Sequence, residues 1–94
     1  MHGLVKLNEA DVVSKDGYKI SYGRDTLKYL ENSRRILVPI EHLGDPYEIA
    51  IYLDLAIELK GHQKIIINQD ELDIIEKRIR SCLTFLGRNF SIRR

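Results

Sequence analysis

A single cysteine, Cys82, stands in the 94-residue chain, which excludes an internal disulfide framework and leaves too few thiolates for a metal site of their own. No apolar run approaches the roughly 20 residues that span a bilayer, and the opening MHGLVKLNEADVV lacks the basic-then-apolar layout of a signal peptide. A cytoplasmic protein without a membrane partner is expected. His2, His42 and His62 fall at no zinc-ligand spacing, and H-x-x-x-H, C-x-x-C and H-x-E are all missing. The serines lack a G-x-S-x-G context and no glycine-rich phosphate loop occurs. These absences argue against an enzyme, a cofactor and a resident metal. Glu41, His42 and Asp45 come nearest to a ligand set, and three polar residues at a strand end read as a solvated turn. Basic residues, finally, are missing over a long stretch, since no lysine or arginine occurs from Ile36 to Leu59.

Hydrophobic residues make up 44% of the chain and charged ones 31%, a balance that fits one small globular domain over residues 1–94. A domain of this size buries only roughly 60 to 65% of its unfolded surface, so its core is small. The net charge of +1 conceals segregation: residues 41–76 carry nine acids and two bases, whereas residues 77–94 carry six bases and no acid.

Residues 67–87, INQDELDIIEKRIRSCLTFLG, predict a helix at both ends. Asn68 is a favoured N-cap, Glu71 completes an N-x-x-E capping box, and Ile67 with Leu72 supplies a hydrophobic staple. Leu72, Ile75, Ile79, Cys82, Leu83 and Leu86 recur at three- and four-residue intervals as one apolar stripe. Gly87 can end the helix at positive φ. Asp70, Glu71, Asp73 and Glu76 lie toward the positive end of the helix dipole, and Lys77, Arg78, Arg80 and Arg88 toward the negative end. Asp73 with Lys77, and Glu76 with Arg80, are i,i+4 pairs. Dipole complementarity therefore accounts for much of the charge split without a ligand.

Upstream the period is two. Tyr18, Ile20 and Tyr22 alternate with Lys19 and Ser21, and Ile36, Val38 and Ile40 mark a second strand, with DTLKYLEN a weaker one between them. Pro39 cannot donate a ladder hydrogen bond, which predicts a sheet edge or a bulge there. From Ile49 to Leu59 strict alternation predicts one long strand or two joined by a bend. The competing helix would be capped at Asp45, with Pro46 at its first position. KIII, residues 64–67, and NFSIR, residues 89–93, read as further strands. The expected fold is α+β: an antiparallel sheet, one long C-terminal helix packed on one face, and a short terminal strand. Residues 1–13 are expected to be loosely held.

On a strand of that phase Glu48, Asp54 and Glu58 project to one side. With Glu41 and Asp45 they would form a negative patch able to steer toward a basic protein surface. A second possibility is a nucleic-acid module in which Lys15, Lys19, Arg24, Lys28, Arg34 and Arg35, interleaved with Tyr18, Tyr22 and Tyr29, act together with the C-terminal arginines. A sequence pI of 7.9 lies well below the strongly basic values of such modules. A third is a homodimer formed by pairing an edge strand such as 34–41 or 89–93 with its mate.

The stretches GYKISY (17–22), IAIYLD (49–54) and IIINQDELDIIEKRIRSCLTFLGRNFSI (65–92) follow an order that resembles small immunity proteins of bacterial polymorphic-toxin and contact-dependent growth inhibition systems. The resemblance covers roughly residues 16–93 and is a pattern of core positions. It implies a non-catalytic cytosolic protein that binds the C-terminal domain of one cognate toxin, often a nuclease, and blocks it. Interface residues do not carry over from that family, so Glu41, Asp45, Glu48, Asp54 and Glu58 stand as candidates on charge alone.

Overall fold

Alternating apolar residues and tight turns fold the first half of the chain into a meander. The computed structural model describes residues 3–44 and 48–94. Strands β1 (Leu4–Lys6), β2 (Asp11–Ser14), β3 (Tyr18–Tyr22), β4 (Thr26–Glu31) and β5 (Arg34–Leu43) pair antiparallel, each with the next. Then follow β6 (Glu48–Tyr52), a 3-10 turn (Leu53–Leu55), β7 (Ile57–Lys60), β8 (Gln63–Ile66), the helix α1 (Gln69–Phe85) and β9 (Asn89–Arg93). The α+β arrangement expected from the sequence is the one observed. Of residues 1–13, expected to be loosely held, residues 1–2 lie outside the described residues, and the rest contribute β1 and the start of β2, with Val12 fully buried.

The sheet forks at β5. The first half of this strand pairs with β7, through Arg35 to Leu37, and β7 pairs in turn with β8. The second half, Ile40 to Leu43, pairs with β6, which carries β9 as its parallel neighbour. Strand β5 is therefore interior, and the expectation that Pro39 marks an edge or bulge is corrected. The Ile40 amide donates to the Asp25 carbonyl at 2.9 Å, so by alternation the Pro39 nitrogen points the other way, into the gap between β7 and β6. An amide at that position would have no acceptor in either ladder. The residue that occupies it has no N–H to satisfy.

Helix α1 lies across the inner face of the fork and inserts Leu72, Ile75, Ile79, Cys82 and Leu83 among Val12, Tyr18, Ile20, Leu27, Tyr29, Ile36 and Val38. Its ends are built as the sequence predicts. Asn68 Oδ1 accepts from the Glu71 amide at 2.8 Å, and the staple residues Ile67 and Leu72 are buried. At the other end Gly87 has φ 73°; the Gly87 and Arg88 amides donate to the carbonyls of Thr84 and Leu83, which closes a Schellman motif.

The alternation of residues 49–59 does not persist. Two strands form, as one of the sequence alternatives held, but the 3-10 turn between them changes the phase of the chain. Ile49 and Ile51 face the core, whereas Glu58 faces it in β7 and Ile57 and Leu59 turn outward.

Candidate functional site

Charge on the helix is resolved mostly by contacts across the fold. Arg34, on the inner side of β5, donates from Nε and Nη2 to the Glu58 carboxylate at 3.0 and 2.8 Å and also bonds Glu71 of α1. Those bonds hold the Glu58 carboxyl below the usual range, against the burial that would raise it. Arg78 bonds the Tyr29 hydroxyl and, at 3.1 Å, Glu31 of β4, and its guanidinium stacks 4.5 Å above the Tyr18 ring. Arg94 reaches back from beyond β9 to Asp73 and Glu76, each at 2.8 Å. Of the expected i,i+4 pairs, Glu76 with Arg80 forms at 2.9 Å, and Asp73 takes Arg94 in place of Lys77. Arg88 meets Glu9 at 3.3 Å.

The five acidic candidates separate accordingly. Glu58 is a correction: its side chain is 8% exposed and paired with Arg34, so it belongs to the interior and to no exposed row. Its inward turn follows from the phase change at Leu53–Leu55. Asp45 lies outside the described residues. Glu41, Glu48 and Asp54 remain at one end of the molecule. The β5/β6 register sets Glu41 opposite Ala50, which makes Glu48 and Tyr52 its two diagonal neighbours on the outward face, roughly 7 to 8 Å away. Tyr52 donates to Glu41 Oε1 at 2.9 Å, and this bond raises the phenol above its ordinary value. Asp54 follows in the exposed 3-10 turn and adds to the same rise, while Arg93 of β9, set beside Tyr52, opposes it.

Beside this end runs an open depression of about 980 Å³, lined among others by Arg24, Asp25, Glu41, His42, Tyr52 and Leu55. Leu55 is 58% exposed. Asp25, Tyr52 and Leu55 were not among the sequence candidates. Tyr52 could have been found from the alternation that places it with Glu48, whereas the position of Asp25 depends on the packing of the β3–β4 turn against β5. His42 bonds the Gly23 carbonyl at 2.9 Å and closes one wall. Among the described residues no group of three or more His, Cys, Asp or Glu side chains converges as metal ligands would.

The alternative basic and aromatic surface is assembled only in part. Tyr18 and Tyr29 stack with centroids 5.7 Å apart in the core, beneath α1. Burial, above all, pushes the Tyr29 phenol up to about 12. Lys19, Lys28 and Arg35 project from the opposite side of the same strands, and Arg34 is taken up by Glu58 and Glu71. Tyr18 and Tyr29 thus lie apart from these bases, and only Tyr22 lines a depression together with Arg24 and Lys28. For edge pairing, β5 is interior and unsuitable, while β9, among the described residues, pairs only with β6. No helix among the described residues is long and apolar enough to cross a membrane.

No family model matches the chain, and neither the curated proteins nor the solved structures contain a significant match to it.

Proposed function

We propose that the chain is a cytoplasmic, non-catalytic binding domain of the immunity type, which docks on a cation-rich toxin domain and occludes its active site. One observation supports this most. Of the carboxylates at the helix, Glu31, Glu58, Glu71, Asp73 and Glu76 have arginine partners and only Asp70 does not, whereas none of Asp25, Glu41, Glu48 and Asp54 forms an ion pair among the described residues. A negative end of this kind accelerates encounter with a basic surface such as a nuclease cleft. Tyr52 and Leu55 add amphipathic and apolar contact area at its centre.

The test is co-expression with the C-terminal domain of a toxin, should the adjacent reading frame encode one, together with binding kinetics at low and moderate salt. Wild-type protein is expected to protect and to associate at a rate that falls with salt. Glu41→Lys/Glu48→Lys should slow association by about tenfold or more while the dissociation rate changes less. Unchanged association and protection in that variant would reject this surface as the docking site.

A further inference from the structure

The side of the sheet opposite α1 is covered by no element among the described residues, and its composition is unusual for a solvated face. Cross-strand register lays out two rows there. The first runs Val13, Lys19, Leu30, Arg35, Leu59, Lys64, and the second runs Ser21, Lys28, Leu37, Ile57, Ile66. Leu37, Ile57 and Ile66 are direct neighbours, and Leu30 and Leu59 sit diagonally from Leu37, so the five aliphatic side chains form one patch. Ile66 is 89% exposed. Scattered surface leucines need no explanation, but a contiguous apolar patch on a sheet face marks a contact surface.

Its charge says what kind. Lys19, Lys28, Arg35 and Lys64 stand among these residues, and none forms an ion pair among the described residues. Among the described residues the acids on this side stand at its margins: Glu41 and Glu48 at the β5–β6 end, and Asp11 at a far corner, where it is engaged by Ser21 and Asn8, whose bonds hold its carboxyl below the usual range. Bases in the first row recur on every second strand, roughly 10 Å apart at the usual strand spacing, with Leu30 and Leu59 between them. Among the described residues neither row contains an aromatic ring, so the patch lacks the stacking platform that single-stranded nucleic acid uses.

We propose that this outer face docks an acidic protein surface, one that carries carboxylates roughly 10 Å apart around an aliphatic centre. An amphipathic helix with Glu at i and i+7 and Leu at i+3 and i+4 has that spacing, since seven residues rise about 10.5 Å. The site adjoins the Glu41–Glu48 end along β5 but uses different residues and does not depend on that end.

The test is an amide-resonance titration of the full isotope-labelled chain with a synthetic helical peptide of that Glu/Leu pattern. Parallel titrations use its Lys-for-Glu analogue, phosphatidylserine vesicles and a single-stranded oligonucleotide. The Glu/Leu peptide is expected to shift Lys28, Leu37, Ile57 and Ile66 saturably. Lys28→Glu/Arg35→Glu should weaken it about tenfold, as a reversal of two rim charges implies. Ile66→Ser, at a site too exposed to threaten folding, should weaken it as well, and Glu41→Lys/Glu48→Lys should leave it unchanged. Equal affinity in the charge-reversal variant, shifts confined to other faces, or preferential binding of the lysine analogue, vesicles, oligonucleotide or a second copy would overturn the proposal.

Discussion

Replacing Arg34 by methionine keeps most of the side-chain stem and removes the guanidinium that neutralises Glu58. Glu58 would then be left 8% exposed with neither of its two arginine bonds, at 3.0 and 2.8 Å. Removing one partner of a buried pair costs roughly 3 to 5 kcal/mol, because the survivor is an uncompensated charge. Arg34 itself is 34% exposed, so water softens the loss and about 3 kcal/mol is expected at neutral pH. With an m-value near 1.5 kcal/mol/M, the urea midpoint should fall by about 2 M. The cost also depends on pH with a definite sign. In the wild type Glu58 is held below its ordinary 4.5, so its contribution is complete above that value and is lost as pH falls through the lower folded value. In Arg34→Met burial outweighs the weaker attraction of Lys60 and raises the folded value, so the variant's penalty grows as pH rises above 4.5 and fades below it. Both trends shrink the difference on acidification, toward about 1 kcal/mol near pH 4. Arg34→Met/Glu58→Leu should recover about 2 kcal/mol of the single variant's loss, because no stranded charge remains. A single-variant cost under about 1 kcal/mol, the range of exposed pairs, or one independent of pH, would refute this account of Glu58.

Two further expectations concern the helix. Gly87→Ala places a Cβ where φ is 73° but where no atom lies within 4 Å, so thermal or urea unfolding should show a loss of about 1 kcal/mol from backbone strain alone. A loss several times larger would mean that the Schellman turn is packed against something. Cys82 is fully buried and burial pushes its thiol up to about 11. An alkylating reagent at pH 8 should therefore label it only at the rate of unfolding and should accelerate in urea; rapid labelling of the native protein would show that the helix stripe opens locally.

What could be read in advance was local. Asn68, Glu71 and Gly87 specify the ends of α1 through bonds that span only a few residues, and the stripe from Leu72 to Leu83 requires only a period. Residues 49–59 show the limit of the same method. Alternation holds through six aliphatic residues, yet the turn at Leu53–Leu55 resets the phase, so Glu58 goes inward where pattern alone sends it out. Nothing local distinguishes Glu58 from Glu48; the difference is Arg34, which is 24 residues away. Pro39 was chemically legible and spatially not, since a missing N–H fits a fork as well as it fits an edge. The dipole account of the helix charges was incomplete for a related reason. Arg78 and Arg94 find partners in β4 and at the start of the helix, and no sequence spacing announces such pairs.

The seam at Pro39 leaves the two wings of the sheet joined by β5, by the Leu53–Leu55 turn and by side chains, without a ladder hydrogen bond bridging them at that point. Their relative angle is accordingly a property of how Val38, Ile40 and Leu53 fill space, whereas each wing's flatness is enforced by its own amides. Trimming one of those three residues should let the wings pivot before either unravels, which would move the acidic end relative to the outer face while both remain intact.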